Sequence, residues 1–328
     1  MDEAGSSVPA VREAMPIRLP PELADPLLAL AADVLDDLES VWIANTNRLR
    51  QLTRDVEDSD GEERGFGLTL DHPDVARLAA LVEALDKAQQ DATKNLTKRL
   101  KSHPLAPWLK AQKGVGDKQA ARLLASIGDP YMRPEMRFED GTVEPARPRR
   151  VSELWAYCGY HVMNFPAGQL TTDTHLVSAS GGKTGHLDQS RSDTHASGVG
   201  VAPKRARGQR ANWSSTAKMR AYLIAESTMK QLKRTCPADE ERGYATHTDG
   251  CECSRYRKVY DAAREKYVDA IHHAECVRCG PKGKPAPVGS DLSRKHKQAR
   301  ALRIVSKELL KDLWREARRI HLGEEETT

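Results

Sequence analysis

The stretch KGVGDKQAARLLASIGDP, residues 113–130, places two glycines one residue apart in front of a strongly helical run. It decides how the chain is read. PLAPWLKAQ ahead of it forms a short helix, because Pro104 is tolerated in a first turn. Gly114-Val115-Gly116 makes a turn, and DKQAARLLASI is a second helix closed by Gly128 and Pro130. Val115 plugs the space between the helices. The first amides of the second helix have no intrahelical partner, and the helix dipole adds partial positive charge there. Glycines remove the side chains that would fend off an approaching anion. The unit therefore reads as a cradle for one phosphate, with Lys113 and Lys118 beside it. The alternative is a glycine turn between packed helices.

Outward from this unit the chain stays helical. Of 328 residues, 39% are hydrophobic and 5% aromatic, so the cores are small and aliphatic. Strand-like alternation is scarce and helical stripes are frequent. The expected fold class is mainly α. Residues 1–20 read as a flexible tail. Residues 21–103 read as an antiparallel helical hairpin with a coiled-coil-like seam, split by the acidic loop EDSDGEERGFG. Such a hairpin serves either as a homodimerisation arm or as half of a bundle. Residues 104–235 form a helix-hairpin-helix unit carrying a polar insertion, 164–200. Within it VSELWAYCGYH is a short helix with a serine N-cap candidate. Residues 236–328 form a helical subdomain rich in Cys and His, with a basic C-terminal helix from about Ser293 to Ile320.

Net charge sharpens the functional reading. The overall value of +4 conceals −9 over residues 1–100 and +13 over the rest. Between 200 and 234 lie nine basic residues, among them Lys204, Arg205, Arg207, Arg210, Lys218 and Arg220, and a single acid, Glu226. The segment leads into a helix that Ser214 or Ser215 can cap, with Met219, Tyr222, Leu223 and Leu232 expected inward. A cationic arm beside a helix start suits a sugar–phosphate chain. No apolar run approaches the ~20 residues of a membrane span. The N-terminus lacks a signal-peptide core. The expected setting is cytoplasmic and nucleoid-associated, with double-stranded DNA as partner and no membrane.

The order of these elements resembles the C-terminal domain of insertion-sequence transposases related to Piv-type DNA invertases. The likeness rests on the hairpin, SELWAYCGYH, and RGQRANWSSTAKMRAYLIAES, over about residues 105–230. It implies a helix-hairpin-helix DNA-binding domain of transposase type that holds the backbone with little sequence specificity. It also implies, in family members, a RuvC-like nuclease domain; the N-terminal region offers no strand for its carboxylates, so that domain is expected to be missing and cutting and its Mg²⁺ would depend on a nuclease domain in trans. The family's candidate serine nucleophile falls on Ser197, ahead of Gly198. On its own the chain then reads as a binding protein. The alternatives are an active transposase or recombinase using Ser197, and an RNA-binding accessory protein that holds structured RNA.

The cysteines lie mostly beyond that likeness. Cys276-x-x-Cys279-Gly280 has the look of a zinc knuckle, and Cys251-x-Cys253 offers two more thiolates. A single four-cysteine site meets a geometric objection. RYRKVYDAAREKYVDAIHH, 19 residues, reads as one helix about 28 Å long. Either that helix breaks or there are two structural zinc sites. One would use Cys236, His247, Cys251 and Cys253; the other His272, Cys276, Cys279 and His296.

Overall fold

A computed structural model describes residues 23–55, 61, 64–138, 140–165, 199–203, 210–239, 241–281 and 284–324. The described residues are mainly helical, with eight α-helices and four two-stranded antiparallel ribbons. Two long helices open the fold, α1 (Pro26–Thr53) and α2 (Pro73–Lys101), packed against each other. Asp25 caps α1 by accepting from the Leu27 and Leu28 amides, and Pro26 occupies the first turn. Arg99, near the end of α2, forks onto both Asp25 oxygens at 2.7 Å. The start of α1 thus meets the end of α2, and the pair is antiparallel.

Which face of α1 turns inward was not decided by its apolar residues. Leu28, Ala32 and Leu35 are buried, whereas Leu27, Leu30, Val34 and Val41 are exposed. Residues 27–35 are apolar almost all round, so periodicity alone leaves the face open. The buried stripe is the one that carries Asp36 and Glu39 toward the next helices.

Those next helices are α3 (Ala106–Ala111) and α4 (Asp117–Ile127). Between α2 and α3, buried His103 bonds the Leu23 carbonyl through Nε2 at 2.9 Å and accepts the Leu105 amide at Nδ1. Two short ribbons follow, β1 (Met132–Arg133) with β4 (Arg147–Pro148), and β2 (Met136–Arg137) with β3 (Val143–Glu144). Helix α5 (Val151–Tyr157) has its N-cap at Arg150, not at the expected serine. The Glu153 carboxylate accepts the Arg150 amide at 2.7 Å, which leaves Ser152 inside the first turn. A third ribbon pairs β5 (Met163–Phe165) with β6 (Val199–Val201).

Helix α6 (Ser215–Gln231) is capped by Ser214, whose hydroxyl accepts the Ala217 amide. Its inner face agrees with expectation at Leu232, which is buried, and at Tyr222, which packs on the core, but otherwise differs. Ala217, Ala221, Ile224, Ala225 and Thr228 are buried, while Met219 is 46% exposed. Small side chains let α6 lie close to α4 and α8 (Arg294–Leu322), and closeness outweighed side-chain size in choosing the face. The last ribbon, β7 (Ala238–Asp239) with β8 (Tyr244–Ala245), leads to α7 (Arg255–Lys266).

The 19-residue helix expected from the sequence does break. It stops after 12 residues, where the Tyr267 amide bonds the Arg264 and Glu265 carbonyls and tightens the last turn. The chain then doubles back, with the His272 amide on the Ser290 carbonyl and the Leu292 amide on the Ala270 carbonyl. Ser293 caps α8, whose Leu302, Val305, Leu309 and Leu313 are buried against α6 and α7 as their spacing predicts. One continuous core runs from Leu23 to Ala317. No helix among the described residues is long and apolar enough to cross a membrane.

Candidate metal centres and the glycine turn

Two Cys/His tetrads stand in the C-terminal part, and they are the two sets that the spacing suggests. In each, the four ligand atoms lie within 4.8 Å of one another. With zinc–sulfur bonds of about 2.3 Å and zinc–nitrogen bonds of about 2.0 Å, the edges of a tetrahedral site are about 3.3–3.8 Å.

The first tetrad joins Cys236, from the loop after α6, His247, just past β8, and Cys251 and Cys253, just before α7. His247 Nδ1 is 3.5 Å from Cys251 Sγ, a tetrahedral edge. Its other nitrogen, Nε2, meets Asp261 Oδ2 at 3.1 Å, and Arg234 holds Asp261 Oδ1 at 2.8 Å. A ligand histidine oriented by a buried carboxylate is the usual support of a metal site. The Thr235 hydroxyl, 3.0 Å from Cys253 Sγ, and then the Thr235 and Cys236 amides, bring the Cys253 thiol down to about 6. Burial works against Cys251, yet the Cys253 amide, Cys236 and His247 hold its thiol below the ordinary value. Cys236 goes the other way, raised by burial and by its two neighbouring thiols. Two of the three thiols are thus inclined to lose their protons to a cation.

The second tetrad draws His272, Cys276 and Cys279 from the segment between α7 and α8, and His296 from the first turn of α8. His296 Nδ1 lies 3.4 Å from Cys279 Sγ and 3.9 Å from Cys276 Sγ. Ser293 Oγ, which caps α8, also sits 3.0 Å from Cys279 Sγ. Burial raises the Cys279 thiol, but the Ser293 hydroxyl and amide bring it below its ordinary value. His272 is 3% exposed, and its Nε2 is buried with no hydrogen-bond partner, an orphan that a metal ion would satisfy. Gly280 is required here. A Cβ on it would fall 2.0 Å from the Lys284 carbonyl oxygen, where the knuckle closes on itself. Both tetrads can bind a metal such as zinc. The sixth cysteine, Cys158, belongs to the core, where burial pushes its thiol up to about 12.

The glycine turn divides its two glycines between two tasks. Gly114 has φ +88°, and a Cβ there would lie 2.6 Å from Thr228 Cα, so it seats the turn against α6. Gly116 faces open space, is exposed, and stands at the start of α4, which no side chain caps. Val115 lies between them in the core. Lys113 is exposed, while Asp117 puts a carboxylate in the first turn of α4.

The neighbouring cations are largely engaged within the protein. Lys118 pairs with Glu39. Arg122, buried on α4, meets Glu39 at 2.5 Å and Asp36 at 2.8 Å. Arg220, also buried, meets Asp36 at 2.6 Å. Lys218 lies over the Trp213 ring at 5.3 Å, its ammonium drawn below the ordinary value by burial and then by Arg303. Arg210 is exposed. Lys204, Arg205, Arg207 and Ser197 lie outside the described residues. Sequence reasoning missed Asp261, Thr235 and Ser293, which support the tetrads. A signal for Asp261 was present, since Arg257, Asp261 and Arg264 recur at helical spacing as a charged stripe on the inner side of α7.

The chain matches no protein-family model, no curated protein and no solved structure.

Proposed function

We propose that this chain is a DNA-binding protein of transposase-like type, gripping the phosphate backbone with low sequence specificity, and that two structural zinc ions fold its C-terminal subdomain. The observation that carries the DNA reading is the start of α4: an outward glycine, no side-chain cap, and a hydrophobic plug that holds the turn in place. Such a helix start offers backbone N–H donors to a phosphate oxygen. The order of elements behind the transposase resemblance also supports it. Gly159, at the end of the A-Y-x-G segment, has φ +65°, and a Cβ there would fall 2.5 Å from the Trp213 ring. Trp213 opens the W-S-S start of α6, so two segments of the resemblance need each other. In each tetrad four protein ligands would fill the coordination sphere, which makes the zinc structural and not catalytic.

The test is a gel-shift titration of duplex DNA at two salt concentrations. Binding should fall steeply with salt, as phosphate contacts release counterions. A Cβ at Gly116 meets no atom within 4 Å and the backbone there is open to any L-residue, so the fold of Gly116→Val should persist. Affinity should drop about tenfold as the side chain blocks the amides. Unchanged affinity removes the hairpin from the interface. Structured RNA that outcompetes duplex DNA replaces the DNA reading. Atomic emission should return two zinc ions per chain.

A further inference from the structure

The C-terminal part also holds a cavity of about 380 Å³ lined by Arg242, Arg264, Arg294, Lys297, Glu241 and Val268. Four cations face one carboxylate there. Arg242 sits in the β7–β8 turn, between Cys236 and His247 in the chain. Arg294 opens α8, two residues before His296. The walls are thus built by the segments that also carry both tetrads.

Arg264 is the unusual member. It is 5% exposed, and among the described residues no carboxylate pairs with it. Its Nη2 donates to the Arg242 carbonyl at 3.1 Å and its Nη1 to the Arg294 carbonyl at 3.4 Å. Its Nε is buried with no partner. A charge taken out of water and held by carbonyls alone remains undercompensated. Arg257, two turns earlier on α7, shows the contrast. It also donates to carbonyls, but those of Met229 and Leu232 at the C-terminal end of α6, where the dipole is negative. The carbonyl that receives Arg264 from α8 belongs to that helix's first residue, where the dipole is positive, and the first turn of α8 holds no acidic residue.

The other cations converge on the same space. Gly243 has φ +74°, and a Cβ there would stand 3.0 Å from Arg264 Nη2 and 3.4 Å from Arg294 Nη2. Lys297 Nζ is tethered to the Val268 carbonyl at 2.5 Å. Arg242 has Asp239 at 3.5 Å.

We propose that Arg242, Arg264, Arg294 and Lys297 form a binding pocket for a phosphoryl group. Planar guanidiniums match phosphate oxygens in pairs, and an oxyanion supplies the countercharge that no carboxylate among the described residues gives Arg264. The pocket shares no residue with the glycine turn and stands independently of it. The phosphoryl group can belong to a nucleic-acid backbone or to a small phosphate compound, and the same chemistry serves both.

Isothermal titration of the zinc-loaded full chain with pyrophosphate tests this. Wild type should bind with saturation. The double variant Arg242→Gln/Arg294→Gln should lose at least about tenfold in affinity, and Lys295→Gln, an exposed lysine outside the lining, less than about twofold. Gly116→Val should not change it, which separates this pocket from the hairpin. Emission spectroscopy confirms that zinc is retained; if the double variant loses zinc, Lys297→Met replaces it with the same expected direction. A duplex that displaces pyrophosphate identifies the backbone as the source, and one that does not identifies a small phosphate compound. No saturation by pyrophosphate, or an equal loss in Lys295→Gln, overturns the proposal.

Discussion

Arg220 and Arg264 are both buried guanidiniums on helices of one protein, and their surroundings are opposite. Arg220 is met by Asp36, which also meets Arg122, while Glu39 takes Arg122 and Lys118. Arg264 is met by two neutral carbonyls and borders a cavity with three further cations. The acidic N-terminal hairpin is therefore, in part, an internal counterion for the central helices. The difference teaches that regional net charge is a poor map of available charge. A buried cation counts toward binding only if the fold has left it without a carboxylate.

Three experiments would break or sharpen that contrast. The largest effect is expected from the metal. Chelation, or replacement of Cys253 or Cys279 by Ser, should unfold the C-terminal subdomain, since a structural zinc contributes on the order of 10 kcal/mol to such folds. Circular dichroism should lose part of its helical signal while the α1–α2 pair remains. A full retention of structure without metal would show that α7 and α8 hold the tetrads unaided. Next, Asp36→Leu strips a countercharge from Arg122 and Arg220. Breaking a buried pair costs about 3–5 kcal/mol, and the low end applies because Asp36 keeps a third of its surface in solvent. Chemical denaturation measures it. A change below about 1 kcal/mol would mean that these cations are not internally neutralised. The smallest effect separates the two glycines. Gly114→Ala should cost about 1–3 kcal/mol from its positive φ and its contact with Thr228, whereas Gly116→Ala should stay within about 0.5 kcal/mol. Equal thermal shifts would undo the division of roles.

The tetrads were legible because zinc takes a narrow choice of residue types, and Cys and His are scarce enough for two local groups of them to stand out. The same holds for the turn, where Gly, Pro and Ser mark the limits of α4 and the caps of α6 and α8. The faces of α1 and α6 were not legible. Leu27, Val34 and Met219 have the hydrophobicity of core residues, but the fold buries Ala32, Ala217 and Ala221 instead. An alanine face allows close helix approach, and its value depends on what approaches. The pocket around Arg264 was invisible for a related reason, because its four cations come from three separate segments.

Local chemistry thus determined the helical class, the glycine turn, the serine caps of α6 and α8 and both ligand sets, since each depends on nearby residues in the chain. Only the tertiary structure decided which helix faces are buried, where the helix after Cys253 ends, and which cations are paired with Asp36 and Glu39. Those outcomes depend on pairings between residues as far apart as Asp36 and Arg220, and Coulomb and packing energies follow distance in space, not separation along the chain.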